Sequence, residues 1–388
     1  MALESAIGSA NTTRASSSLT LRMKISRLNW PLVVMLSVIA CVGAAVLYSA
    51  GRGWTPWAGM HLLRFTVGVM MMLTVAMIDI RHWMRLAYPI YGLGLVLLIW
   101  VEIAGEIGMG AQRWIDLGFL QLQPSEIMKI ALVMVYARYF HGMNPGRISR
   151  PASLLLPLAL LIAPVALVMR QPDLGTALLL SAGAGGLMFL AGVSWIYFAA
   201  AIASVMAALP IAWGFLRDYQ KNRVLTFLNP EQDPLGTGYH IMQSKIAFGS
   251  GGMFGKGYMG GTQSHLDFLP EMQTDFIFTM FAEEMGMIGA IILICLFGMV
   301  IAYGYVISMR VRHQFGRLIV LGVTLNFFLY VFINMAMVMG LIPVVGVPLP
   351  FVSYGGTAML TLLFGFGLVL SASVHRGVPI PEKPGMFF

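Results

Sequence analysis

Apolar runs of about twenty residues follow one another along nearly the whole chain, separated by short polar joints. Ten can be drawn, at 31–50, 59–78, 86–104, 125–141, 153–170, 174–193, 195–216, 274–307, 316–340 and 355–375. About twenty apolar residues carry an α-helix across the hydrocarbon core, and a helix satisfies its own backbone where water is absent. The pattern predicts an all-α polytopic membrane protein with about ten transmembrane helices. Residues 30–375 read as a single ten-helix domain between an N-terminal tail, 1–29, and a C-terminal tail, 376–388. The 125–141 run is short and carries Glu126 and Lys129 near its start. The 274–307 run is longer than a bilayer requires, which predicts a helix that tilts or projects beyond it.

One stretch breaks the pattern. Residues 217–273 are polar and glycine-dense and read as a large extracytoplasmic loop between helices 7 and 8. The segment closes on a cluster of acids: Asp267, Glu271, Asp275, Glu283 and Glu284. Loops held by a rigid scaffold carry function, so chemistry is expected here first.

Composition supports the membrane reading. The chain is 58% hydrophobic and 10% charged, against about 25% charged in a soluble domain. Its 43 glycines and 30 methionines suit close helix packing in lipid. Cys41 and Cys295 both fall inside apolar runs and form neither a disulfide framework nor a metal motif. The net charge of +8 does not point to nucleic acid, because the cations are scattered between apolar runs and form no stripe. Residues 1–29 are Ser/Thr-rich, with Arg14, Arg22, Lys24 and Arg27, and show no cleavable signal pattern; they read as a disordered cytoplasmic tail.

The cation bias sets an expected topology. Arg81, Arg85, Arg138, Arg147, Arg150, Arg310, Arg312, Arg317, Arg376 and Lys383 join the N-terminal cations on the cytoplasmic side, with both termini inside. Most acids then lie outside, among them Glu106, Asp116, Glu126, Asp173, Asp218, Glu231, Asp233 and the cluster closing the loop. Their gathering at run ends predicts a polar site at the outer membrane surface. No internal repeat is evident.

Four motifs carry candidate chemistry. In the first, Arg113 precedes Gln123-Pro124-Ser125-Glu126-Ile127-Met128-Lys129. Glu126 and Lys129 share a helix face and can pair. Helix-start chemistry, with Ser125 as cap and Glu126 at the positive dipole end, accounts for two of these residues. It leaves Lys129 one turn inside an apolar run, where a cation is costly unless partnered. The second motif, Gly249-Ser250-Gly251-Gly252-Met253-Phe254-Gly255-Lys256-Gly257, invites a phosphate-loop reading that fails. Ser250 stands where the first glycine is required and Gly257 where Ser or Thr is required. A tightly turned or re-entrant loop is the simpler reading; backbone amides with Lys256 contacting a phosphate is the other.

The third motif is Gln273-Thr274-Asp275-Phe276-Ile277-Phe278. Asp275 in a first helical turn is a common stabilising placement. Beside three apolar residues it is also expected to be partly desolvated, which moves a carboxylate toward use as a base. Asp267, eight residues upstream, could tune it or help it hold a divalent ion such as Mg²⁺ or Mn²⁺. In the fourth, Asn334 to Ala358, the residues Pro343, Gly346, Pro348, Pro350, Gly355 and Gly356 forbid a continuous helix. Unwound backbone persists in a membrane where it lines a cavity or is packed in protein, so a bent outer hairpin facing the large loop is expected.

These segments together resemble the SEDS family (shape, elongation, division and sporulation), its rod-shape RodA branch more than its division FtsW branch. Asn334, Gly340, Leu341, Pro343, Gly346 and Phe351 through Ala358 fit the family signature at its full spacing. QPSEIMK, QPDLGTA, GYHIMQSKIAFGSGGMFGKG and FLPEMQTDFIF look like its other blocks, and the likeness runs from Trp30 to Val374. The family usually has His before the Thr-Asp pair, where Gln273 stands here.

The resemblance implies a peptidoglycan glycosyltransferase that polymerises lipid II at the outer face of the bacterial inner membrane, with undecaprenyl pyrophosphate leaving. It matches Asp275 to the family's essential carboxylate and Glu126 with Lys129 to its charged pair. Lys129, Arg113 and Lys256 become candidates to meet the pyrophosphate, and Asp267 and Ser353 join the substrate-binding candidates. A class B penicillin-binding protein (PBP2-like) and the MreB-linked elongation machinery are the implied partners. A lipid II flippase, or a noncatalytic scaffold that activates a penicillin-binding protein, are the alternatives.

Overall fold

A computed structural model describes residues 20–380, except 109–110, 117, 119–120, 216–220, 223–224, 228, 230–236 and 263–270. A short helix α1 (Leu21–Ser26) leads into α2 (Trp30–Gly51), α3 (Gly59–Met77) and α4 (Ile80–Ala104). Then come α5 (Pro124–Phe140), the single turn α6 (Pro145–Ile148), α7 (Pro151–Arg170), α8 (Leu174–Ala191) and α9 (Trp195–Phe215). The chain continues through α10 (Thr237–Gly251), α11 (Ile277–Arg310), α12 (Gln314–Val338) and α13 (Gly356–Val374).

Eight of the described helices are long and apolar enough to cross a membrane: α2, the 54–77 segment ending in α3, α4, α7, α8, α11, α12 and α13. The chain is therefore a helical multi-pass membrane protein. Two of the ten runs drawn from sequence fall short of that measure. Helix α5 has 17 residues and carries Glu126, Lys129 and Arg138; α9 is apolar over Trp195–Ala208.

The helices sort into a centre and a periphery. The most apolar stretch of α13 is 83% buried and that of α12 is 72% buried, against 22% for α7. Helix α5 is buried on nearly every face and packs against α4, α7, α8, α12 and α13. Lipid is as apolar as leucine, so burial at the centre is driven by close packing and hydrogen bonds rather than by escape from water. Small residues provide that closeness. A Cβ on Gly43 of α2 would lie 2.4 Å from the Phe351 carbonyl oxygen, and one on Gly183 of α8 2.7 Å from Asn326 Oδ1. Peripheral apolar side chains such as Ile103, Leu155 and Ile292 stay exposed, as lipid-facing residues must.

Three departures from the sequence reading have local causes. First, an antiparallel sheet of β1 (Glu106–Gly108), β2 (Ala111–Asp116) and β3 (Gln121–Leu122) stands between α4 and α5. These polar residues lie beyond the apolar run, where pairing rather than helix satisfies the backbone. Second, α11 is long because it is two pieces. Gly286 breaks it with φ 69° and ψ −170°, and Gly255, at φ 78°, crosses against the break. Lys256 N–H donates to the Glu283 carbonyl at 3.0 Å and Gly257 N–H to that of Glu284 at 3.1 Å. In return Met287 N–H donates to the Gly252 carbonyl at 2.9 Å. The glycine-rich loop thus replaces the helical bonds lost at the kink. Third, residues 21–26 of the N-terminal tail form helix α1, and Lys24 Nζ docks on the Met77 carbonyl at 2.6 Å.

The bundle has two chemically distinct ends. Lys24, Arg81, Arg85, Arg138, Arg312 and Arg376 meet at one, tied by Arg138 to the Met84 and Arg85 carbonyls and by Arg312 N–H to the Arg376 carbonyl. The sheet, the glycine-rich loop and the 339–355 hairpin lie at the other, where α5, α8, α11 and α13 begin.

Candidate functional site

Helix α5 starts with Pro124 at its first position, which suits a residue lacking an N–H. The residue before it, Gln123, makes no side-chain cap, and Ser125 is buried rather than capping. The start places Glu126 and Lys129 on the inward face. Lys129 Nζ lies 2.7 Å from Glu126 Oε1, and both side chains are almost fully buried. Tyr330 of α12 closes the group: its hydroxyl donates to Glu126 Oε2 and accepts from Lys129, whose ammonium also sits 4.2 Å from the centre of the ring. The cost of burying Lys129 is met by a carboxylate, a hydroxyl and a π face together.

Asp275 lies just before α11, in the turn 271–276, with Phe276 and not Asp275 at the helix boundary. Phe276, Ile277 and Phe278 are buried while Asp275 is half-buried. Its position is set by its backbone. Asn334 of α12 donates from Nδ2 to the Asp275 carbonyl at 2.9 Å and to the Val347 carbonyl at 2.7 Å. Ser353 Oγ donates to the Thr274 carbonyl at 2.6 Å and accepts from Leu349 N–H at 2.7 Å. Tyr354 N–H donates to the Gln273 carbonyl at 2.8 Å. The hairpin after α12 therefore grips 273–275 from one side. Gly346, at φ 73°, comes close enough that a Cβ there would meet Asp275 Oδ2 at 3.5 Å.

A cavity of about 230 Å³ joins these parts, lined among others by Arg113, Glu126, Lys129, Asp173, Glu271, Asp275 and Tyr330. Arg113 reaches it from β2, with Nη2 donating to the Pro172 carbonyl at 2.8 Å and Nε 3.6 Å from Asp173 Oδ2. Asp173 in turn caps α8, accepting from Thr176 N–H at 3.1 Å and Oγ1 at 2.9 Å. Arg64 of α3 lies over the Tyr354 ring at 4.7 Å, beside the same opening.

Of the residues singled out from sequence, Arg113, Glu126, Lys129 and Asp275 meet in one cavity. Lys256 does not line it; the ammonium is held by Glu283 at 2.8 Å and Thr262 at 2.6 Å, as part of the loop that closes the α11 kink. Ser353 lies behind the cavity wall and fixes the turn carrying Asp275. Asp267 lies outside the described residues. Glu283 and Glu284 are buried structural acids, Glu284 accepting from Ser49 Oγ at 2.5 Å. Tyr330 and Arg64 were missed in the sequence. For Tyr330 a signal existed: it stands four residues before Asn334 and so shares its helix face.

Among the described residues no three His, Cys, Asp or Glu side chains come together as a set able to hold a metal ion. The pair considered from the sequence, Asp275 with Asp267, is not among these, because Asp267 lies outside the described residues.

Comparison with known proteins identifies the family. Residues 23–377 match the family FTSW_RODA_SPOVE, described as cell cycle protein. The peptidoglycan glycosyltransferase MrdB of Escherichia coli K12 is 44% identical over 347 residues, 89% of this chain and 93% of that protein. An FtsW of Trichlorobacter lovleyi is 38% identical over 368 residues, 91% of this chain and 95% of its own. Among solved structures, a chain of a peptidoglycan synthase complex aligns with TM-score 0.77 and 31% identity, covering 90% of this chain and 98% of that one. The rod shape determining protein RodA of Thermus thermophilus aligns with TM-score 0.69 and 26% identity over 90% of this chain and 98% of its own. With the family matched over nearly its full length, and the paired charges, the gripped aspartate and the bent hairpin in one place, this chain belongs to the SEDS (FtsW/RodA/SpoVE) family.

Proposed function

We propose that this protein is a peptidoglycan glycosyltransferase that polymerises lipid II, with Asp275 as general base. The observation that carries the assignment is that Asp275 shares a cavity with the buried Glu126–Lys129–Tyr330 group at the end of the bundle that carries the sheet and the bent hairpin. In the reaction an acceptor GlcNAc 4-hydroxyl attacks the anomeric carbon of donor MurNAc, and undecaprenyl pyrophosphate leaves with inversion. The hydroxyl proton passes to an Asp275 carboxylate oxygen as the new C–O bond forms, and the electron pair of the breaking bond leaves on the pyrophosphate. A positioned base of this kind contributes about 10²–10⁴-fold in rate.

Arg113 and Lys129 are the cavity's cations and face the leaving group in this reading. They are outnumbered by four carboxylates, Glu126, Asp173, Glu271 and Asp275. That excess favours Mg²⁺ or Mn²⁺ arriving on the pyrophosphate itself. At about 230 Å³ the cavity is smaller than the roughly 300–1,000 Å³ of typical ligand pockets, so it accommodates the reacting centre and not a whole lipid-linked disaccharide. The prenyl tails would lie between helices alongside it.

The cation bias supports the bacterial inner membrane with both termini cytoplasmic and the cavity at the periplasmic face. A class B penicillin-binding protein is the partner this reading calls for, since polymerised strands need crosslinking. The 44% identity to MrdB favours a role in elongation beside the MreB-linked machinery.

Purified protein incubated with labelled lipid II, with products separated on a gel, tests the assignment. Wild type is expected to make glycan strands and Asp275→Asn to make about 10²–10⁴-fold less while remaining folded. Near wild-type polymer from Asp275→Asn would remove the base. Strands from neither protein, with lipid II moved across vesicles by both, would favour the flippase. Neither strands nor transport would favour the scaffold.

A further inference from the structure

A second cavity, of about 680 Å³, lies apart from the one holding Asp275 and opens at the opposite, basic end of the bundle. Its walls come from the end of α5, the turn after α8, the start of α12 and the segment after α13. The family reaction described above uses none of these residues.

The chemistry of this cavity is one-sided. Arg312, Arg317, His141 and His313 line it, and among the described residues no aspartate or glutamate does. Both imidazoles are already committed to the start of α12. His141 Nδ1 accepts from Phe315 N–H at 3.2 Å, and His313 Nδ1 from Gly316 N–H at 2.9 Å. The two guanidiniums are not committed: both are exposed, and among the described residues neither lies within 4.0 Å of a carboxylate. Facing them is an apolar wall that includes Ile148, Leu190 and Ile380. The cavity thus offers paired positive charge beside hydrocarbon surface, at helix ends where a membrane meets water.

We propose that this cavity binds an anionic phospholipid of the adjoining leaflet, with Arg312 and Arg317 on the headgroup phosphate and the apolar wall against the glycerol and upper acyl chain. Guanidiniums are suited to this because their planar fork meets two phosphate oxygens at once. Basic pockets between helix ends on the cytoplasmic side are where lipid phosphates are recognised, and each cation near such a surface contributes about fivefold in affinity. The apolar wall separates this occupant from free phosphate, for which it would offer nothing.

The test uses the full chain in neutral detergent with a fluorescent short-chain phosphatidylglycerol. Saturable binding is expected, displaced by unlabelled phosphatidylglycerol and not by phosphatidylcholine or inorganic phosphate. Arg312→Gln with Arg317→Gln is expected to weaken it about 25-fold, as two losses of about fivefold each, while Arg312→Lys with Arg317→Lys retains most of it. Both side chains are exposed, so the fold should survive; the competition on wild type stands even if it does not. Displacement by inorganic phosphate as effectively as by lipid would replace the lipid with a soluble anion. Equal displacement by phosphatidylcholine, or unchanged binding in the glutamine pair, would overturn the proposal.

Discussion

Lys129 shows how one residue's environment decides what its removal does. With Glu126 at 2.7 Å and the Tyr330 hydroxyl bridging both, none of the three can be deleted independently. Lys129→Ala leaves Glu126 buried without its counterion, a loss of about 3–5 kcal/mol when a buried pair is broken from one side. A lower melting temperature together with lost polymerisation is expected, and exchanging Glu126 with Lys129 tells position from pairing: full rescue by the swap would make the pair structural. Tyr330→Phe is the finer probe. It keeps the ring under the ammonium but removes the hydroxyl, leaving buried charged groups one partner short at a cost of about 1–3 kcal/mol. Polymer yield should fall more than detergent solubility does if the hydroxyl holds Lys129 toward the cavity.

At the scale of elements, the glycine-rich loop and the broken helix α11 act as one unit. A Cβ on Gly255 would lie 2.0 Å from the Glu284 carbonyl oxygen, and one on Gly286 2.3 Å from Gly255 N. Both residues also have φ in the left-handed region. Gly255→Ala and Gly286→Ala are therefore expected to destabilise by more than the roughly 1 kcal/mol of an ordinary glycine replacement, read as lost monodisperse protein on size exclusion. Gly257→Ala is the control: it carries the same conformational strain, at φ 93°, but its Cβ would meet nothing, so a milder loss is expected.

The start of α12 gives a pH dependence. Burial pushes the His313 imidazole down from its usual 6.5 to about 4, and His375 moves the same way for the same reason. The folded state then binds fewer protons than the unfolded state between those values. Stability should be full above about pH 6.5, fall as pH drops toward 4, and level off below. Melting curves between pH 4 and 8 check the sign, and His313→Asn, which retains a side-chain acceptor for Gly316 N–H, should flatten the slope.

The whole molecule is a bundle with chemistry divided between its ends. The gripped aspartate and paired charges lie at one, the cation-rich joints at the other. If the cation bias sets orientation, alkaline phosphatase inserted after Gly260 should be active in cells, and phosphatase fused after Arg312 inactive. The reverse result would invert the bundle and put the Asp275 cavity on the wrong side for lipid II.

The membrane class, the positions of most helices and the cluster of motifs were legible in the sequence because each depends on neighbours along the chain. A twenty-residue apolar run is a helix in lipid whatever surrounds it. Which motifs would meet was not legible in local pattern. Lys256 and Lys129 were both candidates to meet the pyrophosphate, yet one closes a kink and the other lines the cavity. The face of Tyr330 could be read from Asn334, but its contact with Glu126, 204 positions away, could not. The sheet that lifts Arg113, the break at Gly286 and the grip of Asn334 and Ser353 on the turn holding Asp275 likewise join distant segments. Local hydrophobicity specifies helices one at a time; only packing, which acts across the chain, decides which side chains share a cavity.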